Sequence, residues 1–146
     1  SALSSPTAAI TAVAPGAPTV GTPTLGDLQI IVPLTAPASN GGSAITKYQY
    51  SLDGTTWLER TDSATVTSPI VIKFTDAGGT TPIVAGTAYT IQIRGVNAVS
   101  GGTAATTSAI TAATAPGAPT AVSATATGQT TATVSFTAPA SNGGVR

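Results

Sequence analysis

The chain has 146 residues, of which 7% are charged and 4% aromatic, with five basic and five acidic side chains and no His, Cys or Met. Without imidazole or thiolate there is no Ser-His-Asp triad, no activated Cys and no ordinary zinc or iron ligand set, so neither an enzyme nor a cofactor or metal is expected. Zero net charge with scattered Lys and Arg leaves no electrostatic footprint for nucleic acid or an anionic membrane surface. No apolar run approaches the roughly 18–20 residues of a membrane span. No basic segment followed by an apolar one opens the chain as a secretory signal would.

In chain order, the first predicted element is a terminal strand at about residues 6–12. Ile30, Val32 and Leu34 then alternate with Gln29, Ile31 and Pro33, the two-residue period of a half-buried strand. Pro33 has no N–H to give to a ladder, so a local bulge or an unpaired edge is expected there. Tyr48 and Tyr50 alternate with Lys47 and Gln49. Residues 52–55 carry an Asp-Gly turn signal, and Thr56-Trp57-Leu58 resumes a strand. Residues 66–74 are β-branched and apolar, closed by Asp76-Ala77-Gly78-Gly79. Tyr89, Ile91, Ile93 and Val96 form the next run, broken near Gly95, and residues 105–111 the last. Residues 119–138 add an outlying pair of strands. With no helical periodicity, about seven short strands between Gly, Pro and Asn turns predict an all-β sandwich.

The sequence also repeats itself. APGAPT at residues 14–19 recurs at 115–120, 101 positions on, and TAPASNGG at 35–42 recurs at 137–144, 102 positions on. Thr-Ala-Ala-Ile-Thr-Ala at 7–12 likewise resembles Thr-Ser-Ala-Ile-Thr-Ala at 107–112. A period of this size is that of a domain with its own core, unlike a solenoid unit. The expected organisation is a last-strand segment of a preceding repeat at 1–14, a complete repeat at 15–114, and the first two strands of a following repeat at 115–146.

Ala-Pro-Gly-Ala-Pro-Thr, a strand ending in Thr-Ala-Pro, Ser-Asn-Gly-Gly and Ile45-Thr46-Lys47-Tyr48 come in the order of a bacterial fibronectin type III domain, which the chain resembles. Residues 83–94, followed by Val96-Asn97-Ala98, are similar to that family's turn and sixth strand. The resemblance implies an immunoglobulin-like, fibronectin type III β-sandwich of about seven strands. It makes Leu34, Tyr48, Trp57, Tyr89, Ile91 and Ile93 the fold-defining positions, with Tyr89 as the tyrosine-corner residue. The family's inward Trp on the second strand is replaced here by Leu34 and, in the partial copy, by Phe136. Trp57 is expected to refill that smaller core.

Candidate binding groups are few. Asp53-Gly54 and Asp76–Gly79 could offer oxygens to calcium, but no stretch has three closely spaced carboxylates, and turn chemistry accounts for both. Lys47 and Lys73 could form an isopeptide bond only if buried beside a carboxyl catalyst, whereas Lys47 has the alternation of an outward residue. Arg94 is expected to pair with Glu59 or Asp62 as a weak cross-strand ion pair. The Ser39-Asn40-Gly41-Gly42 loop recurs at 141–144, which suits a standard turn better than a tuned recognition loop. Trp57 and Tyr50 are too thin an aromatic supply for a sugar platform. No small-molecule ligand is expected.

The resemblance, the repetition and the chemically quiet surface lead to the expectation of a structural repeat of an extracellular fibre, filament or surface appendage. Its partner would be itself or its tandem neighbours, located outside the cell or at its surface. The expected assembly edge comprises Ala8, Ile10 and Ala12 at one end and Val122, Val134 and Phe136 at the other, joined by strand addition between copies. A phage capsid or tail module in a virion, and a spacer or adhesion module of a secreted enzyme, are the alternatives.

Overall fold

Turn-forming Gly, Pro and Asn residues leave room only for short strands. The computed structural model describes residues 11–26, 28–60, 66–113 and 115–143, and among these it contains thirteen strands and no helix. They are β1 (Thr19–Val20), β2 (Thr24–Gly26), β3 (Gln29–Val32), β4 (Leu34–Thr35), β5 (Lys47–Ser51) and β6 (Leu58–Glu59). There follow β7 (Ile70–Ile72), β8 (Ala88–Tyr89), β9 (Gln92–Val96), β10 (Ala105–Thr106), β11 (Ile110–Thr111), β12 (Thr120–Ala126) and β13 (Ala132–Thr137). Joined across short interruptions, β1 to β11 make the seven strands that the alternation predicts.

One layer is the antiparallel sheet β2-β3-β7 and the other β10-β9-β5-β6, with β1–β4 and β8–β11 continuing the broken strands. The two-residue period decides what each layer buries. Ile30 and Val32 on β3 face Ile72 and Ile70 on β7, and all four are fully buried. Across from them Tyr50 pairs with Ile93 and Tyr48 with Gly95. Tyr48, Tyr50, Leu58, Ile91 and Ile93 join the same buried cluster, with Leu34, Ile45 and Tyr89 packed at its margin. Each such side chain contributes about 1.5–3 kcal/mol on burial. The Tyr50 hydroxyl donates to Phe74 O at 3.0 Å, tying one layer to the loop that leaves the other. Burial, and secondarily the Asp76 charge, push its pKa up to about 12.

Pro33 breaks the strand between β3 and β4. Its carbonyl accepts from Gly21 N–H at 2.8 Å, and Leu34 N–H turns to Ser68 Oγ at 2.9 Å. The strand predicted over 66–74 shortens to β7, because the carbonyls of Thr67 and Pro69 accept from the Arg60 guanidinium and not from a ladder. The break predicted near Gly95 falls instead at Thr90-Ile91, where Ile91 N–H bonds to Thr107 Oγ1 at 3.2 Å. Gly95 stays inside β9 opposite Tyr48, and a Cβ there would meet Ile45 Cδ1 at 3.2 Å. Trp57 does not refill the core. It is half-buried just before β6, on the outer face beneath Arg94, and the aromatics buried in the core are Tyr48 and Tyr50.

Beyond the sandwich, β12 and β13 form a separate hairpin. Ala124 pairs with Val134 and Ala126 with Ala132, while Ser123 pairs with Ser135 and Thr125 with Thr133. Alternation thus gives one apolar and one hydroxyl face. A bulge between Thr120 and Ser123, with Ala121 at φ 51°, bends the first strand.

Candidate functional site

The two aspartate turns are closed upon themselves. Asp53 Oδ1 accepts from Ser51 Oγ at 3.0 Å and from the N–H groups of Thr55 and Thr56 at 2.8 and 2.7 Å, and Oδ2 from Thr56 Oγ1 at 2.7 Å. These bonds, those of Thr56 foremost, hold its carboxyl far below the usual carboxylate range. Asp76 accepts from Thr80 Oγ1 at 2.6 Å and from the N–H groups of Thr80 and Thr81 at 2.9 and 2.8 Å. Its pKa is lowered for the same reason, with the Thr80 hydroxyl first. Among the described residues no three His, Cys, Asp or Glu side chains gather as metal ligands would.

On the outer face of β5, β6 and β9 the polar side chains form a ladder. Lys47 Nζ pairs with Glu59 Oε1 at 2.7 Å, which also accepts from Gln49 Nε2 at 2.9 Å. The lysine bond, then that of Gln49, lowers the Glu59 pKa. Both members of the ion pair are exposed, so it is worth less than about 1 kcal/mol. Of the partners expected for Arg94, Glu59 takes Lys47 and not Arg94. Arg94 Nε and Nη2 donate to Gln49 Oε1 at 2.9 and 2.8 Å, and its guanidinium stacks 4.0 Å from the Trp57 ring centre. Gln49, directly opposite Arg94 in the register, reaches it first; Asp62 lies outside the described residues. Lys47 faces Glu59 on this open surface, so the burial that an isopeptide bond requires is missing.

At the pole of the sandwich, the loop after β4 and the turn after β9 converge on Asn97, which is buried. Its Nδ2 donates to Val13 O at 2.7 Å and Asn40 O at 2.9 Å, and its Oδ1 accepts from Val99 and Ser100 N–H at 2.9 and 3.1 Å. In the sequence Asn97 stands only within the family-like Val96-Asn97-Ala98 and carries no expected role, and Val13, 84 residues away, is joined to it by tertiary structure alone. Tyr89 is legible: its Oη accepts from Val84 N–H at 2.8 Å, five residues upstream.

Of the expected assembly edge, Val122, Val134 and Phe136 are 61%, 60% and 63% exposed on the hairpin, and Ala12 is half-buried. Ala8 and Ile10 lie outside the described residues. The two ends of the hairpin reproduce those of the strand pair that opens the sandwich. Thr19 opposes Thr35 as Thr120 opposes Thr137. Gly16 N–H donates to Ser39 O at 2.9 Å, and Gly117 N–H to Ser141 O at 3.0 Å. Gly41 and Gly143 both bond back to the serine Oγ two residues earlier at 3.2 Å, with φ of 73° and 80°. Among the described residues no helix is long and apolar enough to cross a membrane.

Two facing antiparallel layers of seven strands, with a Tyr hydroxyl on the backbone at the turn into the sixth, define an immunoglobulin-like, fibronectin type III β-sandwich. No family model matches the chain, and no curated protein does. Among solved structures, the twitchin kinase region from C. elegans (Fn31-NL-kin-CRD-Ig26) matches with a TM-score of 0.50 at 20% identity, over 68% of this chain and 17% of that one. Domains A168-A170 of titin align with a TM-score of 0.49 at 18% identity, over 68% of this chain and 32% of that one. The chain thus spans less than a third of either aligned structure, and the twitchin likeness bears on the fold alone.

Proposed function

We propose that the chain is a structural β-sandwich repeat of an extracellular fibre, filament or surface appendage, built of tandem bacterial-type fibronectin modules. The observation that carries this reading is the recurrence, at a domain-sized spacing, of one opening hairpin with the same terminal pairing, loop bonds and glycine conformation. Residues 15–114 are then one whole module and 115–146 the start of another.

An isolated two-stranded hairpin is marginal in water, and β12–β13 has an apolar face that no other described residue covers, with Val134 60% exposed. Its counterpart face in the complete module lies under β5 and β9, and β3 is flanked by β7. In an array the remaining strands of the same module supply that cover. A second copy supplies it by strand addition if chains join head to tail.

Sequencing the parent gene and light scattering of the 146-residue chain test both levels. Further in-frame copies of the APGAPT and TAPASNGG landmarks support the array, and their absence overturns it. Concentration-dependent growth to particles many times the chain mass, abolished by Phe136→Ser, supports head-to-tail joining. A strict monomer at all concentrations rules the joining out.

A further inference from the structure

The residues that lead into the complete sandwich are bonded to it as a strand would be. Val13 N–H donates to Gly41 O at 2.8 Å, Gly16 N–H to Ser39 O at 2.9 Å, and Thr103 N–H to Pro15 O at 3.1 Å. Asn97 closes over this segment, taking the Val13 carbonyl at 2.7 Å. Pro15 is fully buried. Two glycines allow the approach: a Cβ on Gly41 would lie 2.1 Å from Val13 O, and one on Gly102 would lie 2.2 Å from Pro15 O. The pole is therefore a built groove for an extended Val-Ala-Pro-Gly segment, recognised through its backbone carbonyls and its lack of bulk.

The far end of the sandwich is tied down in the same manner. Ala112, 3% exposed, donates its N–H to Thr87 O and accepts from Gly86 N–H, both at 2.9 Å. In the sequence Ala12 occupies the place in Thr7-Ala8-Ala9-Ile10-Thr11-Ala12 that Ala112 occupies in Thr107-Ser108-Ala109-Ile110-Thr111-Ala112. On that register a preceding module closes at Ala12, and the very next residue, Val13, already belongs to the groove of its successor.

We infer that the Asn97 groove is an inter-module clamp: each sandwich grips the chain at the point where its predecessor ends, with no free residue between, so that neighbours are held at one angle. What it holds is the segment that directly follows the closing residue of another copy of this module, and the inference rests on the repeat reading above. On the same reading the next joint has one residue more. Five positions separate Ala112 from Gly117 where four separate Ala12 from Gly16, and one added residue gives up to about 3.6 Å of slack.

Amide hydrogen exchange and backbone relaxation on the full chain test the clamp. Val13 and Gly16 amides should exchange about 100-fold slower than an unstructured chain, as structured backbone does. Order parameters from Val13 to Gly16 should sit near the rigid value of about 0.85, and those of Ala113 and Ala115 clearly below it. Asn97→Ala should speed exchange at Val13 by at least about tenfold while Ile93 keeps its protection. If that variant unfolds, Gly102→Ala, which pushes on the Pro15 carbonyl, should free the same amides. Random-coil exchange at Val13 in the unaltered chain, or protection that survives both substitutions, overturns the clamp. A parent gene without further copies would overturn the repeat reading and its joint while leaving the groove's protection intact, so the two failures are distinguishable.

Discussion

The hairpin that opens the sandwich and the hairpin β12–β13 begin on the same APGAPT and run into the same TAPASNGG, and both set their first Thr opposite their last. They part company in between. Pro33 divides the first into β3 and β4, while its counterpart Ser135 lies inside an unbroken β13. Val32 in the first is completely buried, and its counterpart Val134 is 60% exposed. The hairpin interrupted by proline is the covered one, and the hairpin that carries a bulge but no interruption is the bare one. Register and loop geometry are thus set locally by short sequence signals, whereas stability depends on a second layer that no local signal supplies. A strand interrupted by proline is tolerated where β7 and the opposite sheet hold it in place.

The largest expected effect lies in the matched pair itself. Val32→Ala should lower the unfolding free energy by about 2 kcal/mol, from lost burial and the cavity left behind. Val134→Ala should change it by less than about 0.5 kcal/mol. Urea titrations with unchanged slope would measure both. Equal losses would break the comparison, since the second hairpin would then be covered in solution.

Next in size is Tyr50→Phe, which removes the hydroxyl that reaches Phe74 O from the covering layer. About 1 kcal/mol should be lost, with no change in the NMR spectrum of β12–β13. A disturbance spreading to that hairpin would mean the two regions are not independent.

The response to pH should also divide the molecule. Asp53, Asp76 and Glu59 all titrate below their usual range in the folded chain. Their stabilisation is therefore present above the unfolded values of about 3.9–4.3 and is lost as pH falls through the lower native ones. Tyr50 has the opposite sign, with a native value raised to about 12: its contribution is intact below about pH 10 and lost as pH rises toward the native value. Residues 115–143 contain no charged side chain, so thermal melts should shift with pH while the shifts of β12–β13 stay still. The smallest stability change is expected from Phe136→Ser, within about 0.5 kcal/mol. Its readout is reduced binding of an apolar dye to the open face of the hairpin.

The alternation of Tyr48 and Tyr50 with Lys47 and Gln49 was enough to place two aromatics inside and two polar residues outside. Trp57 misled because an aromatic on a hairpin serves the core or the outer face equally well. Only the register that sets Gln49 opposite Arg94 put a guanidinium over its ring. Gly95 misled because glycine signals a break, yet here it makes room for Ile45. Asn97 stood in the family-like Val96-Asn97-Ala98, but its tie to Val13 and Asn40 was invisible because both are distant in the chain.

By itself the sequence determined what two-residue alternation and turn chemistry can write: strand positions, inward faces, the closed Asp turns and the repetition of one opening hairpin. The tertiary structure decided which of two similar hairpins is buried, where the strands break and how the entering chain is held. Those outcomes turn on contacts between segments tens of residues apart, whose geometry exists only once the two layers have closed on each other.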